Sequence, residues 1–208
     1  MSAPARIPTL GWVVAFIAAA VLLVMAGMLV KNVRRAQGQP LPVLATVPEF
    51  AFTSQAGAPV TRETLRGKLW IADLIFTRCA GPCPVMTDRL SQVQRALAHS
   101  GDDVRLVSVS VDPAYDQPDV LAKYAARFGA DPARWLFLTG QPDAVEKFVT
   151  KGMLLGLAKD EAGAPMHAQK FIVVDREGRI RAYRDLEESN LVPQLLTDLD
   201  TLRREPAR

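Results

Sequence analysis

The chain is decided by residues 69–84: Leu69-Trp70-Ile71-Ala72-Asp73-Leu74-Ile75-Phe76, followed by Thr77-Arg78-Cys79-Ala80-Gly81-Pro82-Cys83-Pro84. Seven of the first eight residues are apolar, the pattern of a strand buried on both faces. Gly81-Pro82 then break it, and Val85, Leu90, Val93 and Leu97 return at helical spacing up to His99. A strand, a cysteine loop and a helix follow one another, and both thiols fall at the helix N-terminus. Unpaired amides and the positive end of the helix dipole there predict lowered thiol pKa values. The four-residue spacing brings the sulfurs to one side of the turn, near enough to close a disulfide or to clasp one soft ion. A purely structural disulfide over so small a loop would constrain little chain entropy, so chemistry is expected of the pair. Cys79 and Cys83 are the only cysteines among the 208 residues.

Outward from this stretch, strand-like and helix-like segments alternate. Residues 104–111, 135–138 and 170–174 are short β-branched or aromatic runs, and residues 179–184 should pair antiparallel with the last of them across the turn Arg176-Glu177-Gly178. A helix is expected with Asp116 or Gln117 as its cap, Pro118 in its first turn and Gly129 just past its end. Its inward face would be Leu121, Tyr124, Ala125 and Phe128. Two more helices are expected over residues 142–151 and 190–203, the last burying Leu195, Leu196, Leu199 and Leu202. This order predicts an α/β fold whose mixed central sheet is flanked by helices and turns antiparallel at its last hairpin.

Residues 10–30 carry no charge and no proline. At 1.5 Å per helical residue they can span a hydrocarbon core of ~30 Å, and they read as one uncleaved transmembrane anchor behind a short segment, residues 1–9. Residues 31–47 read as a linker, and residues 48–208 as the folded domain. Arg6, Lys31, Arg34 and Arg35 are the only charged residues before position 48, leaving 21 of the 25 basic side chains to face all 22 acidic ones downstream. A domain so nearly neutral offers no electrostatic footprint for nucleic acid. The basic cluster fits lipid headgroups instead. A hydrophobic content of 49% and a charged content of 23% exclude collagen-like, disulfide-dense and wholly disordered classes.

Several polar residues need their own reading. Asp73, alone in an apolar strand, should be protonated with a raised pKa or engaged by polar partners, because an unpaired buried carboxylate is costly. Asp112 reads as a turn former before Pro113. Met86 reads as packing, and His99 as an exposed residue at a helix C-terminus. His167 is expected in a loop before the strand 170–174, within reach of the cysteines.

With these motifs in order, the domain resembles the thioredoxin superfamily, and within it the SCO/SenC family of membrane-anchored copper chaperones for cytochrome c oxidase. The resemblance rests on Ile75-Phe76-Thr77-Arg78-Cys79 with Cys83-Pro84 and Thr87. It continues in Ser110-Val111-Asp112-Pro113 with Asp116, Pro118, Leu121 and Tyr124, and in residues 166–175 (MHAQKFIVVD) with Gly178 and Ile180. It implies a thioredoxin-like fold over roughly residues 48 to 205, and one copper ion held by Cys79, Cys83 and His167. Two thiolates and an imidazole are a soft set suited to Cu(I) and able to hold Cu(II). Zinc prefers four ligands in closed sites, and no fourth is obvious. The implied partner is the oxidase subunit with the dicopper site.

The chain departs from the family's commonest pattern, with Ala80 where many members have proline. Its Gly81-Pro82-Cys83 ending is shared with thioredoxin-like reductases, so thiol-disulfide exchange stands as the alternative, with Asp73 as proton acceptor. Copper delivery and a cycling dithiol both belong outside the cytoplasmic membrane. The expected topology therefore puts the domain on the periplasmic or equivalent side, against the three basic residues that follow the anchor.

Overall fold

The computed structural model describes residues 40–155, 157–159, 165–167 and 169–205, with Trp12, Phe16, Ile17, residues 19–23, Met25 and Gly27 of the N-terminal stretch; for residues 157–159 and 165–167 only the backbone is described. The chain divides into two units, Met1–Pro40 and Leu41–Arg208. In the first unit the described residues before Pro40 are helical and exposed. The expected anchor lies largely outside the described residues, among which no helix is long and apolar enough to cross a membrane.

In the second unit, eight strands form one mixed sheet: β1 (Ala45–Thr46), β2 (Ala51–Ser54), β3 (Pro59–Thr61), β4 (Leu69–Ile75), β5 (Val104–Ser110), β6 (Trp135–Thr139), β9 (Lys170–Val174) and β10 (Arg179–Asp185). Their order is β1-β10-β9-β4-β5-β6-β2-β3, and β7 (Leu157–Lys159) pairs with β8 (Pro165–His167) in a separate ribbon. The central β4, β5 and β6 are parallel, and β10 pairs antiparallel with β9 as the sequence predicts; the sheet already turns antiparallel one strand earlier, where β9 pairs with β4. Gly178 makes the β9–β10 turn at φ +76°, a left-handed conformation that a side chain would strain.

Every residue of β4 is buried, because helices or loops cover both faces. Leu69, Ile71 and Ile75 pack with α1 (Pro82–Ala96), α2 (Pro118–Arg127) and α4 (Leu191–Arg204), sharing a core with Met86, Leu90, Leu121, Leu195 and Leu199. Trp70, Ala72 and Leu74 face the opposite core, with Phe52, Val107, Phe148 and Val149. Each fully buried Leu, Ile, Val, Phe or Met side chain among them contributes roughly 1.5–3 kcal/mol. Alternation along the strand puts Asp73 on the α1 face.

Four features correct, narrow or add to what the sequence predicts. The helix expected over residues 142–151 is α3 (Pro142–Lys147), after which the chain widens into a π-turn, Phe148–Gly152, closed by Met153 N–H on the Phe148 carbonyl at 2.8 Å. The widening lets consecutive Phe148 and Val149 both enter the core. The linker expected to run to residue 47 already contains strand β1, and Val47 is fully buried. Arg181, at a register shift in β10, reaches back to the carbonyls of Leu41 and Pro42 and to the Asp175 and Glu205 carboxylates. The β2–β3 hairpin is absent from the sequence reading, since Pro59 and the short polar runs around it carry no clear alternation. Finally, of the two residues expected to cap α2, Gln117 holds the position, with no side-chain capping bond, and Asp116 does not.

Candidate functional site

The site forms where β4 ends. After Ile75 the chain turns through Phe76 to Cys79, closed by Cys79 N–H on the Phe76 carbonyl at 3.2 Å, and α1 starts at Pro82 behind Gly81. Pro82 suits the first helical position, where no amide partner is needed and φ is already set. Cys79 therefore stands in the loop, partly exposed, and Cys83 in the first helical turn, fully buried. Their side chains interact directly, and no disulfide joins them. The four-residue spacing has the effect expected of it.

The electrostatics differ from expectation. Burial pushes the Cys83 thiol up, strengthened by its contact with Cys79 and by the neighbouring Cys79 and Asp73 charges, and outweighing a backbone hydrogen bond at Phe76 that acts the other way. The expected lowering at a helix N-terminus is overridden because desolvation in the core exceeds what the end of the helix dipole supplies.

Near the pair lies Asp73, fully buried, with no well-formed hydrogen bond to either carboxylate oxygen among the described residues, Ser108 offering only a weak polar contact. Burial raises its pKa to about 7, with Ser108 pulling the other way. Tyr124, from α2, lies near them, its phenol pushed up by burial and by the Asp73, Cys83 and Cys79 charges. It meets Thr87 Oγ1 at 2.9 Å, and Thr87 donates to the Cys83 carbonyl at 2.9 Å. The sequence marks Thr87 as a motif member and Tyr124 as a motif member on the buried face of its helix, but not their bond, because it links two helices.

The loop after β5 holds the cysteine loop from outside. Asp116, fully buried, accepts from the Thr77 amide at 3.1 Å and from the Thr77 and Ser110 hydroxyls. Asp112 takes the Arg78 guanidinium at 2.6 Å, and that guanidinium lies 4.3 Å from the centre of the Tyr115 ring. Asp112 also forms the expected turn, its carbonyl accepting the Tyr115 and Asp116 amides. Met86 is core and His99 is exposed, as expected.

His167 ends β8, opposite Leu157, rather than lying in a loop; its side chain is outside what the structure describes. Continuing the β4–β9 register from Ala72 and Ile172 puts Lys170 beside Leu74, at the end of β4 from which the cysteine loop leaves. The backbone of His167 is three residues upstream of that point. Among the described residues no three His, Cys, Asp or Glu side chains are close enough to hold a metal. Two soft sulfurs side by side nevertheless fit a soft cation that accepts few ligands.

A model of the SCO1/SenC family matches residues 39–201. The chain is 35% identical over 151 residues to the SCO1 protein homolog of Bacillus subtilis, covering 71% of this chain and 78% of that protein. It is similar to the solved structure of BsSco, a member of the Sco family of cytochrome c oxidase assembly proteins studied for a disulfide switch, with a TM-score of 0.69, 31% identity, and 79% and 97% of the two chains covered. It is also similar to ScoI of Bradyrhizobium japonicum with copper bound, with a TM-score of 0.64, 27% identity, and 77% and 100% covered.

Proposed function

The chain belongs to the SCO1/SenC family, and from that premise we propose that it is a membrane-anchored copper metallochaperone for cytochrome c oxidase. Residues 10–30 anchor it, and the domain stands on the periplasmic or equivalent side. One copper ion is its cargo, held by Cys79, Cys83 and His167 and passed by ligand exchange to the dicopper site of an oxidase subunit. The observation that carries this reading is the contact between the Cys79 and Cys83 side chains at the rim of the sheet. Copper-bound ScoI supports the cargo, and the Sco family's description supports the destination. Loading displaces protons from the thiols, since the thiolate is the ligand. The test is anaerobic titration of the full chain with Cu(I). Uptake should approach one ion per chain, be lost in Cys79→Ser or Cys83→Ser, and weaken at least tenfold in His167→Ala, about 1.4 kcal/mol. No uptake, or uptake indifferent to His167→Ala, overturns the reading.

Asp73 favours a second reading, thiol-disulfide exchange on an exported partner. Cys79 thiolate attacks the partner's disulfide and displaces one partner thiolate. Cys83, giving its proton to Asp73, then attacks the Cys79 sulfur, releases the second partner thiolate and closes the Cys79–Cys83 disulfide. A carboxyl with a pKa of about 7 is matched to that proton transfer. Cys83→Ser should trap the mixed disulfide, and a variant that traps no partner while the wild type binds copper tightly leaves the chaperone alone. The two activities are compatible, because a reduced dithiol is what a copper-accepting protein needs.

A further inference from the structure

We infer that Asp116 is a positioning residue for Cys79, acting through Thr77 across 39 residues of chain. The inference rests on the reading that the cysteine pair is the working site. Cys79 is the last residue of a turn that begins at Phe76, so the place of its sulfur depends on the two residues between, Thr77 and Arg78. Both are gripped by one loop. Asp116 takes the amide and the hydroxyl of Thr77, and Asp112 takes the guanidinium of Arg78.

The Asp116 grip is the stiffer of the two. Its carboxylate is fully buried, and it also accepts the Ser110 hydroxyl, whose oxygen in turn accepts the Asp112 amide at 3.1 Å. Asp116's own amide is bonded to the Asp112 carbonyl at 2.9 Å. Ser110 ends β5 in register with Ile75, the last residue of β4. The carboxylate thus ties the cysteine turn to the rigid sheet, through charge-assisted bonds stronger than neutral ones. Arg78 is a more exposed tie, with 57% of its side chain accessible. A sulfur held in place beside its partner has a high effective concentration there. Releasing the turn lowers that concentration, and with it the stability of the Cys79–Cys83 disulfide relative to the dithiol.

The experiment equilibrates the full chain with glutathione redox buffers and follows melting in parallel. Asp116→Asn turns an amide N–H₂ against one of three donors. The constant for disulfide formation should fall about tenfold, ~30 mV for a two-electron couple. Thr77→Val, which removes one donor at nearly constant volume, should fall in the same direction by about threefold, and Thr77→Ser should stay within about twofold of wild type. A variant that melts earlier with an unchanged constant shows Asp116 to be structural only and overturns the inference. If Asp116→Asn does not fold, Thr77→Val and Ser110→Ala decide it, and no shift in either overturns it. Copper titration of the wild type separates the two readings. No copper uptake with a shifted constant removes the chaperone reading and leaves Asp116 its role; copper uptake with an unshifted constant does the reverse.

Discussion

Asp73 on β4 lies directly across the parallel register from Ser108 on β5. Ser108 Oγ accepts the Trp135 indole N–H at 3.0 Å, and its hydroxyl offsets only part of the desolvation of Asp73. The carboxyl is held up to about 7 against an ordinary value of 3.8. Between those values the folded state keeps a proton that the unfolded chain has lost, so stability falls as pH rises through this window and levels above it. Asp73→Asn should abolish that slope and be more stable than wild type at pH 8 by on the order of 2 to 4 kcal/mol. Urea unfolding at pH 5 and pH 8 measures it, and equal slopes in the two proteins would refute it.

The two thiols should differ sharply in reactivity. Cys79 is partly exposed, whereas Cys83 is buried with its pKa pushed up. At neutral pH, iodoacetamide should modify Cys79 first and Cys83 at least about tenfold more slowly, since reaction needs both access and a thiolate. Mass spectrometry of Cys79→Ser and Cys83→Ser gives the two rates, and equal rates would contradict the burial.

Tyr124, Thr87 and the Cys83 carbonyl form a chain of hydrogen bonds joining α2 to the first turn of α1. Tyr124→Phe should cost about 1 kcal/mol and Thr87→Val about 1 to 2 kcal/mol, because the latter strands a buried phenol. The double variant should cost less than the sum. Strict additivity in denaturant melts would show that the two side chains do not cooperate.

Arg181 is 4% exposed and serves Asp175, Glu205 and the Leu41 and Pro42 carbonyls together. Arg181→Ala should destabilise the fold by roughly 2 to 4 kcal/mol, chiefly by removing its bonds to four groups at once, although Asp175 keeps Arg179 at 2.7 Å. Arg181→Lys should recover little, since one ammonium cannot reproduce the fork. Thermal unfolding decides, and a near-neutral Arg181→Lys would show that charge alone suffices.

Segments with a clear apolar pattern are legible in the sequence: β4, β5, β6, β9 and β10, and helices α1, α2 and α4. The hairpin of β2 and β3 was not, for its four and three residues draw their order from pairing with β6 and with each other. Strand β1 was hidden in the same way, since two residues become a strand only when β10 offers them an edge.

For the site, the sequence by itself determined the identity and spacing of Cys79 and Cys83, the break that places them between a strand and a helix, and the anomaly of an acid at Asp73. Those are local properties, written in neighbouring residues. Tertiary structure alone decided that Cys83 is buried deeply enough for desolvation to override the helix dipole. It also decided between the two cap candidates: Gln117 takes the helix end, and Asp116 turns instead to Thr77. Burial and long-range hydrogen bonding depend on which segments the fold brings together, and no window of sequence contains both partners of a bond that spans 39 residues.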